Sequence, residues 1–327
     1  MAPGPTVGSR GEAIVRDALT ALGGHPTPGD PSARGKLSAA AEAGSLAELV
    51  EPSSPLVPVL TAAGRRFLRP LHVAVVGRPG AGRDTMARAL RERLSLISIG
   101  PGEGERGTAD ADLWLLVLTG PPRRADHELL TSLPSDRVVV VLGKADTFGE
   151  WDAAAEVAAT CSDRLGTRVY PVSQLLACAD LDEGDFAALR ALASAGAEMP
   201  SMAGRFLSGR PGSDERVMRQ GLLRRVDAYG IDTALALIAA GSPAAESVDM
   251  LNRALRDASG ITDLTEPIGA RVGRVRHWRE VELRAVLEDA AAAGVDREGA
   301  ERLLGTAGAV SGLQAGAVSG LQAGAVS

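Results

Sequence analysis

The sequence predicts an α/β domain with a doubly wound, mostly parallel sheet, followed by an all-α helical trunk. Between residues 71 and 196, short runs that are apolar throughout alternate with segments of helical periodicity. Strands covered on both faces by helices have this composition, and such strands form parallel sheets. From residue 197 to residue 305 the apolar residues follow helical spacing. The first apolar run also ends in a glycine-rich turn that opens into a helix-forming segment.

Five apolar runs are the candidate strands of this sheet. In chain order they are HVAVV, LSLISI, DLWLLVL, RVVVVL and RVYPV. Segments with apolar residues at helical spacing occur between them at residues 85–93, 126–132 and 153–165. A helix between consecutive parallel strands returns the chain to the same end of the sheet. The alternation therefore predicts crossover connections and a parallel sheet.

The rest of the chain divides into three further regions. For residues 1–70 the sequence predicts a helical, partly disordered N-terminal region. Its predicted helices lie at 11–22, 37–50 and 56–68 and are separated by proline-rich breaks. Residues 197–305 predict the trunk, with helices at 214–240, 244–258, 264–293 and 296–304. Residues 306–327 repeat the octapeptide AGAVSGLQ. Because Gly, Ala and Ser supply few large apolar groups, we expect a flexible tail there and not a β-solenoid coil.

Composition and charge argue against several classes of protein. The net charge of −6 gives no overall electrostatic attraction to nucleic acid. Cys161 and Cys178 have no His or Cys neighbours at metal-ligand spacing, so we expect reduced thiols. No apolar run reaches the about 20 residues that span a bilayer. The first residues lack the apolar centre of a signal peptide. We therefore expect a cytoplasmic protein that does not bind nucleic acid.

The glycine-rich turn has the spacing of the phosphate-binding loop G-x-x-x-x-G-K-[ST]. In such a loop the backbone N–H groups and the N-terminus of the following helix point at an anion. The matching residues are Gly77, Arg78, Pro79, Gly80, Ala81, Gly82, Arg83 and Asp84. Arg83 stands where the lysine belongs, and Asp84 stands where the magnesium-binding hydroxyl belongs. The spacing predicts a phosphate site, and the two replacements predict altered chemistry.

Two later segments resemble the base-reading segments of a nucleotide site. The fourth apolar run ends in Gly143, Lys144, Ala145 and Asp146, and the fifth leads to Ser173. In P-loop GTPases a strand ending in [NT]-K-x-D reads guanine: the Asp carboxylate accepts from two guanine nitrogens and the Lys stem covers the base. A later strand-to-serine segment lies over the base. With the glycine loop, these segments resemble a P-loop GTPase in which Gly143 replaces the Asn or Thr.

The chain resembles more narrowly the dynamin-like GTPases of actinobacteria, of the isoniazid-inducible type. The helices that follow the sheet resemble the trunk of those proteins, so the resemblance covers about residues 71–292. It implies that GTP or GDP binds, together with Mg²⁺, and that the chain acts with a partner GTPase or as a homo-oligomer. It also implies peripheral contact with the inner face of the plasma membrane.

Departures from the family pattern bear on hydrolysis. Asp84 and Thr85 are the candidate metal ligands, because carboxylate and hydroxyl oxygens bind Mg²⁺. The family motif D-x-x-G, whose Asp holds the metal through water, has Ile99 in place of that Asp. Phosphoryl transfer depends on positioning and on neutralisation of charge. We therefore expect slow or absent hydrolysis and predict no catalytic residue.

The sequence leaves two functions open. The first is a GTPase-like nucleotide-binding protein that serves as an assembly module. Its predicted nucleotide-binding residues are Gly77, Gly80, Ala81, Gly82, Arg83, Asp84, Thr85, Lys144, Asp146 and Ser173. The second is a scaffold that binds no nucleotide, in which the glycines make only a tight turn and Asp146 caps a helix. A small-molecule kinase is disfavoured because no lid motif follows the loop.

Overall fold

The computed structural model describes residues 35–100, 110–200, 202–207 and 210–306. The predicted helix at 11–22 and the octapeptide repeats lie outside these residues. The described residues belong to two compact units. One unit comprises Arg69–Trp278 apart from the gaps, and the other comprises residues 35–68 and 279–306.

Each of the five apolar runs forms or contains a strand. The strands are β1 (His72–Gly77), β2 (Ile97–Ile99), β3 (Leu113–Leu118), β4 (Val138–Gly143) and β5 (Val169–Val172). They form a single sheet in the order β2-β1-β3-β4-β5, and every neighbouring pair is parallel. The predicted α/β class with a parallel sheet, followed by helices, is confirmed.

Helices are numbered here along the described chain. They are α1 (Lys36–Ala43), α2 (Val57–Phe67), α3 (Arg83–Leu94), α4 (Arg124–Ser132), α5 (Trp151–Leu165), α6 (Gln174–Ala177), α7 (Glu183–Ser194), α8 (Ala203–Phe206), α9 (Asp214–Ala239), α10 (Val248–Asp257), α11 (Thr265–Ala292) and α12 (Arg297–Thr306). Short 3₁₀ turns add Leu46–Leu49, Ser135–Arg137, Ala145–Phe148, Pro243–Ala245 and Ile261–Leu264.

Both faces of the sheet are buried, which explains the uninterrupted apolar strands. Alternate strand residues point to opposite faces. On one face Val75 and Leu115 share a core with Met86 of α3 and Ile268 of α11. On the other face the residues of the sheet pack with α5, whose contributions are Ala158 and Cys161. The helices therefore wind on both sides of the sheet, as in other doubly wound folds.

A tight turn between α10 and α11 covers the free edge of β5. The N–H of Ser173 donates to the carbonyl of Ser259 at 2.9 Å. The next residue, Gly260, has φ +74, and a Cβ built there would lie 2.5 Å from the carbonyl oxygen of Pro171 and 2.8 Å from the ring of Trp151. This turn satisfies a backbone group that an open edge strand would expose, and its close approach requires glycine.

Helices α7, α9 and α10 form a further core in the same unit as the sheet. It is built from Phe186, Leu222, Leu235 and Leu255, and it includes Leu176 of α6. Because only Ser173 separates β5 from α6, this core begins next to the carboxyl end of the sheet. The trunk helices up to Trp278 thus belong to the same compact unit as the strands.

Trp278 packs against the sheet unit through an arginine. The guanidinium carbon of Arg137 lies 4.3 Å from the ring centroid of Trp278 and 5.1 Å from that of Trp114. Arg137 is buried and also donates to the carbonyl of Asp112 at 3.4 Å. A desolvated cation between two indoles is a favourable arrangement. Trp278 therefore has a packing role within this unit.

The second unit is helical. Buried leucines of α1, α2, the later part of α11 and α12 share its core: Leu37, Leu60, Leu283, Leu287 and Leu303. Arg279 is 2% exposed and donates to the carbonyl of Phe67 at 2.8 Å. None of the helices in the described part of the chain combines the length and apolar character needed to cross a bilayer.

The turn at Gly260 yields a stability prediction. Gly260→Ala should destabilise the protein by about 3 kcal/mol or more, because the new Cβ meets a backbone carbonyl in a left-handed conformation. Gly241 has a similar φ of +60, but no described atom lies within 4 Å of its Cβ position. Gly241→Ala should therefore cost only about 1 kcal/mol. Urea unfolding of both variants checks this, and equal losses would contradict the proposed close approach.

Candidate functional site

The order of the strands contains one switch point, at which the direction of winding reverses. The chain goes from β1 outward to β2, then returns past β1 to β3, β4 and β5. In open parallel sheets, ligands bind where the direction of winding reverses, outside the carboxyl ends of the strands. Here that point lies between β1 and β3. The glycine loop follows β1 directly, so the fold places the loop at this switch point.

The predicted base-reading residues follow other strands at the same edge. Lys144 and Asp146 come directly after β4, and Ser173 comes directly after β5. The carboxyl ends of parallel strands lie at the same end of the sheet, so these residues and the glycine loop lie at that end. The strand β3 lies between β1 and β4. The loop and the base-reading segment are therefore separated by the width of one strand.

The glycine loop uses left-handed and related backbone conformations. Gly77, Gly80 and Gly82 have φ of +143, +80 and +81. A Cβ at Gly77 would lie 2.6 Å from the carbonyl oxygen of Val117 on β3. The N–H of Ala81 closes a turn on the carbonyl of Arg78 at 3.1 Å. The three glycines are thus required by the turn itself.

Arg83, Asp84 and Thr85 form the first turn of α3, a helix of 12 residues that begins after Gly82. Asp84 is exposed, and its Oδ1 lies 3.5 Å from the position of a Cβ on Gly100, just after β2. A carboxylate in this first turn is favoured by the helix dipole. Within the described residues, no group of three or more His, Cys, Asp or Glu side chains converges. The metal-binding role of Asp84 and Thr85 stays a prediction.

Arg78, which the motif leaves unspecified, anchors the loop. Its Nε donates to Oδ1 of Asp126 at 2.9 Å, and Asp126 is fully buried. The other carboxylate oxygen accepts from the N–H of Arg123 at 2.8 Å. The charge of Arg78 is therefore matched within the protein. Of the two arginines in the motif, Arg83 is the one in the first turn of α3.

Gln174 joins the glycine loop to the base-reading segment. Its Nε2 donates to the carbonyl of Ala81 at 3.0 Å, and its Oε1 accepts from the N–H of Lys144 at 2.7 Å. The side chain is 3% exposed. Neither motif spacing nor composition singles out this residue. The only signal for it is its position directly after Ser173.

Asp146 is a buried carboxyl with a free oxygen. It lies in the 3₁₀ turn Ala145–Phe148 and is 8% exposed. Its Oδ1 has no hydrogen-bond partner among the residues that the structure describes. The residue before α5 is Glu150, so Asp146 does not cap that helix. An unpaired buried acceptor costs about 1–3 kcal/mol, which a ligand donor can recover.

Burial is the main cause that raises the pKa of Asp146. The nearby hydroxyl of Ser173 and the backbone of Asp146 oppose that shift. The nearby carboxyl of Asp227 raises the pKa of Asp146 further, because it places a second negative charge close to this side chain. Asp146 therefore lies near Ser173 and Asp227, and the roles of Asp146 and Ser173 in base recognition stay predictions.

Asp227 occupies a break in α9. Its φ of 57 and ψ of −175 are not helical, although helix continues on both sides. A non-glycine residue at positive φ costs about 1–3 kcal/mol unless its surroundings fix it. Helix α9 packs on the 3₁₀ turn that carries Asp146, and Tyr229 lies 6.3 Å from Trp151 between ring centroids. Sequence periodicity could not show this break, because Asp227 lies within an otherwise regular helical pattern.

No protein-family model matches this chain, and the curated proteins contain no detectable relative. The resemblance to dynamin-like GTPases therefore rests on the motifs of the chain itself, and it stays a prediction.

The Asp146–Asp227 pair predicts a pH-dependent stability. Because the folded pKa of Asp146 is raised, ionising this carboxyl costs stability as the pH rises through that pKa, and the cost is absent below the unfolded pKa. Asp227→Asn removes a like charge and supplies an amide donor. At about pH 7.5 the variant should be more stable than the wild type by about 1 kcal/mol. The gain should vanish below about pH 4.

Urea unfolding at the two pH values measures this difference. Asp232→Asn is the matched control, since Asp232 is an exposed residue of the same helix, and it should change stability little at either pH. A gain that is independent of pH, or a loss at about pH 7.5, would refute the interpretation of the pair.

Proposed function

We propose that this chain is a GTPase-like guanine-nucleotide-binding protein that hydrolyses GTP slowly or not at all. It would bind phosphates at the glycine loop and guanine at Asp146. The observation that carries the proposal is the free, buried Oδ1 of Asp146 beside Ser173. This atom lies on the same edge of the sheet as the glycine loop, one strand away.

The phosphate half of the proposed site is supported by backbone geometry. The loop ends at the N-terminus of α3, where unpaired N–H groups and the helix dipole favour an anion. Arg83 in the first turn would add a positive charge. Its planar guanidinium binds two phosphate oxygens at once, unlike a lysine ammonium. We therefore expect a diphosphate to be held with a different geometry from that of a lysine-containing loop.

The base half is supported by the chemistry of the free acceptor. Guanine presents two neighbouring N–H donors at N1 and N2, whereas adenine presents an acceptor at N1. A buried carboxylate pairs with the first pattern and repels the second. A site built on such pairing discriminates strongly, because the wrong base leaves buried polar groups unsatisfied.

Weak hydrolysis follows from the residues near the predicted metal position. Ile99, at the end of β2, is buried and apolar where a GTPase has the carboxylate that holds Mg²⁺ through water. Asp84 and Thr85 would hold the metal instead, and the metal would neutralise the phosphates. With no carboxylate at position 99, the γ-phosphate and the attacking water lack one of their holders. A role in assembly, with a partner GTPase or with further copies of this chain, fits such a site.

A scaffold that binds no nucleotide is the second candidate. It is favoured by the packing of α9 on the 3₁₀ turn and by the carboxyl of Asp227 against Asp146. In that case α9 would take the place of the base. The strand order is also shared by doubly wound proteins other than GTPases. The helices of both units would then supply the binding surfaces, including any surface used for peripheral contact with the inner face of the plasma membrane.

Calorimetric titration with GDP, GTP and ATP distinguishes the two candidates. We expect heat with GDP and GTP and none with ATP. Asp146→Asn should weaken GDP by about tenfold or more, because an amide presents a donor to the guanine N–H groups. The same variant should bind xanthosine diphosphate better than the wild type, since xanthine has a carbonyl at C2.

Asp180→Asn is the control for this substitution, because the side chain of Asp180 is 79% exposed. It should leave the affinity for GDP unchanged. The absence of heat with every nucleotide would favour the scaffold. Unchanged GDP affinity in Asp146→Asn would refute Asp146 as the base reader.

Removal of the metal tests Asp84. With EDTA, the carboxylate of Asp84 would face the phosphates without a cation, so GDP should bind the wild type about tenfold more weakly than in Mg²⁺. Asp84→Ala should lose most of this metal dependence. If the wild type and Asp84→Ala respond equally to EDTA, Asp84 is not a ligand of the metal. Titration of both proteins in the two buffers provides the comparison.

A further inference from the structure

We propose that Gln174 is a positioning residue that fixes the phosphate loop relative to the base-reading segment. This inference rests on the proposed function, since it concerns the two halves of the same nucleotide site. Gln174 is the first residue of α6, immediately after Ser173. It does not itself need to touch a nucleotide. Its side chain binds the backbone of each half.

The orientation of the amide is defined by its partners. The backbone N–H of Lys144 can only donate, so its partner is Oε1 at 2.7 Å. The carbonyl of Ala81 can only accept, so its partner is Nε2 at 3.0 Å. A flipped amide would place two donors together at one end and two acceptors at the other. The bridge is therefore specific for an amide in this orientation.

Two glycines make room for the bridge. A Cβ at Gly82 would lie 2.3 Å from Nε2 of Gln174. A Cβ at Gly143 would lie 3.1 Å from Nε2, 3.2 Å from Oε1 and 2.7 Å from a methyl carbon of Val117. Gly143 is the residue that replaces the Asn or Thr of the guanine motif. Gly143 has no side chain, and the amide of Gln174 lies in the space that a side chain at position 143 would need.

The bridge orients backbone groups in both halves. In a trans peptide the C=O and the following N–H point in opposite directions. Holding the carbonyl of Ala81 toward Gln174 therefore points the N–H of Gly82 away from Gln174. At the other end, Gln174 holds Lys144, whose φ of +58 is left-handed. The backbone conformation of Lys144 determines the position of Asp146, two residues later in the chain.

The separation of the two halves matters because one ligand must reach both. The base and the phosphates of a nucleotide are joined by a single ribose, so their spacing is limited. A protein that is already organised at that spacing gains affinity from both contacts at once. When the bridge is lost, the two halves can move independently, and the second contact adds less to binding.

A second buried amide provides a matched control for fold stability. Asn252 on α10 is 4% exposed. It accepts from the N–H of Leu181 at 2.8 Å and donates to the carbonyl of Leu181 at 2.9 Å. Asn252 thus makes the same pair of bonds as Gln174, in the same unit, but to a residue outside the predicted site. Asn252→Leu should lower stability about as much as Gln174→Met.

The experiment is a double-mutant cycle on GDP affinity, measured by calorimetry on the full chain. Gln174→Met keeps the size of the side chain and removes both hydrogen bonds. Alone, it should weaken GDP by about tenfold, whereas Asn252→Leu should not change the affinity. Asp146→Asn should cost about tenfold or more in the wild type and in Asn252→Leu, but about threefold or less in Gln174→Met.

Gln174→Glu repeats the cycle with a variant that keeps the acceptor for Lys144 and loses the donor to Ala81. It should show the same reduced effect of Asp146→Asn, and it serves where Gln174→Met does not fold. Equal effects of Asp146→Asn with and without Gln174 would overturn the positioning role, as would a GDP affinity in Gln174→Met equal to that in Asn252→Leu. If the wild type binds no GDP, the proposed function itself fails, and this inference fails with it.

Discussion

Burial of both faces of a parallel sheet is the constraint on which the rest of the structure depends. Because β3 and β4 are completely buried, only the loops at the two ends of these strands can reach solvent. Parallel pairing then brings the residues after β1, β4 and β5 to one edge. The glycine loop and the segments that contain Asp146 and Ser173 are found there. In open parallel sheets ligands bind at this end of the strands, which supports the location of the proposed site.

Features that depend on the periodicity of apolar residues could be predicted from the sequence. Residues whose importance depends on one contact with a distant part of the chain could not. Apolar runs located all five strands, since strands buried on both faces have a distinctive composition. The glycine loop and Asp146 were identified from the spacing of their motifs. Gln174 and Asp227 could not be found in this way. Gln174 binds the carbonyl of Ala81, which is 93 residues away in sequence, and Asp227 lies in a segment whose apolar residues keep helical spacing.

Two energetically costly features of the fold lie close together at this end of the sheet. Asp146 is buried with a free oxygen, and Asp227 adds a second carboxyl from a strained backbone. A sequence selected only for stability would remove such features, because a buried unpaired acceptor and a left-handed non-glycine residue each cost free energy. Their presence together, beside well-packed cores, supports the proposal of a site at this position.

The two candidate functions assign opposite roles to Asp227. If a guanine binds, its N–H donors take the place of the Asp227 side chain next to Asp146. Helix α9 must then change conformation at its existing break. If no nucleotide binds, Asp227 is the permanent occupant, and the break in α9 holds it there. The free Oδ1 favours the first role, because a permanent occupant would be expected to satisfy both oxygens of a buried carboxyl. The bridge from Gln174 to the glycine loop favours it as well, since a turn without a ligand has no need of a fixed distance to the base-reading segment.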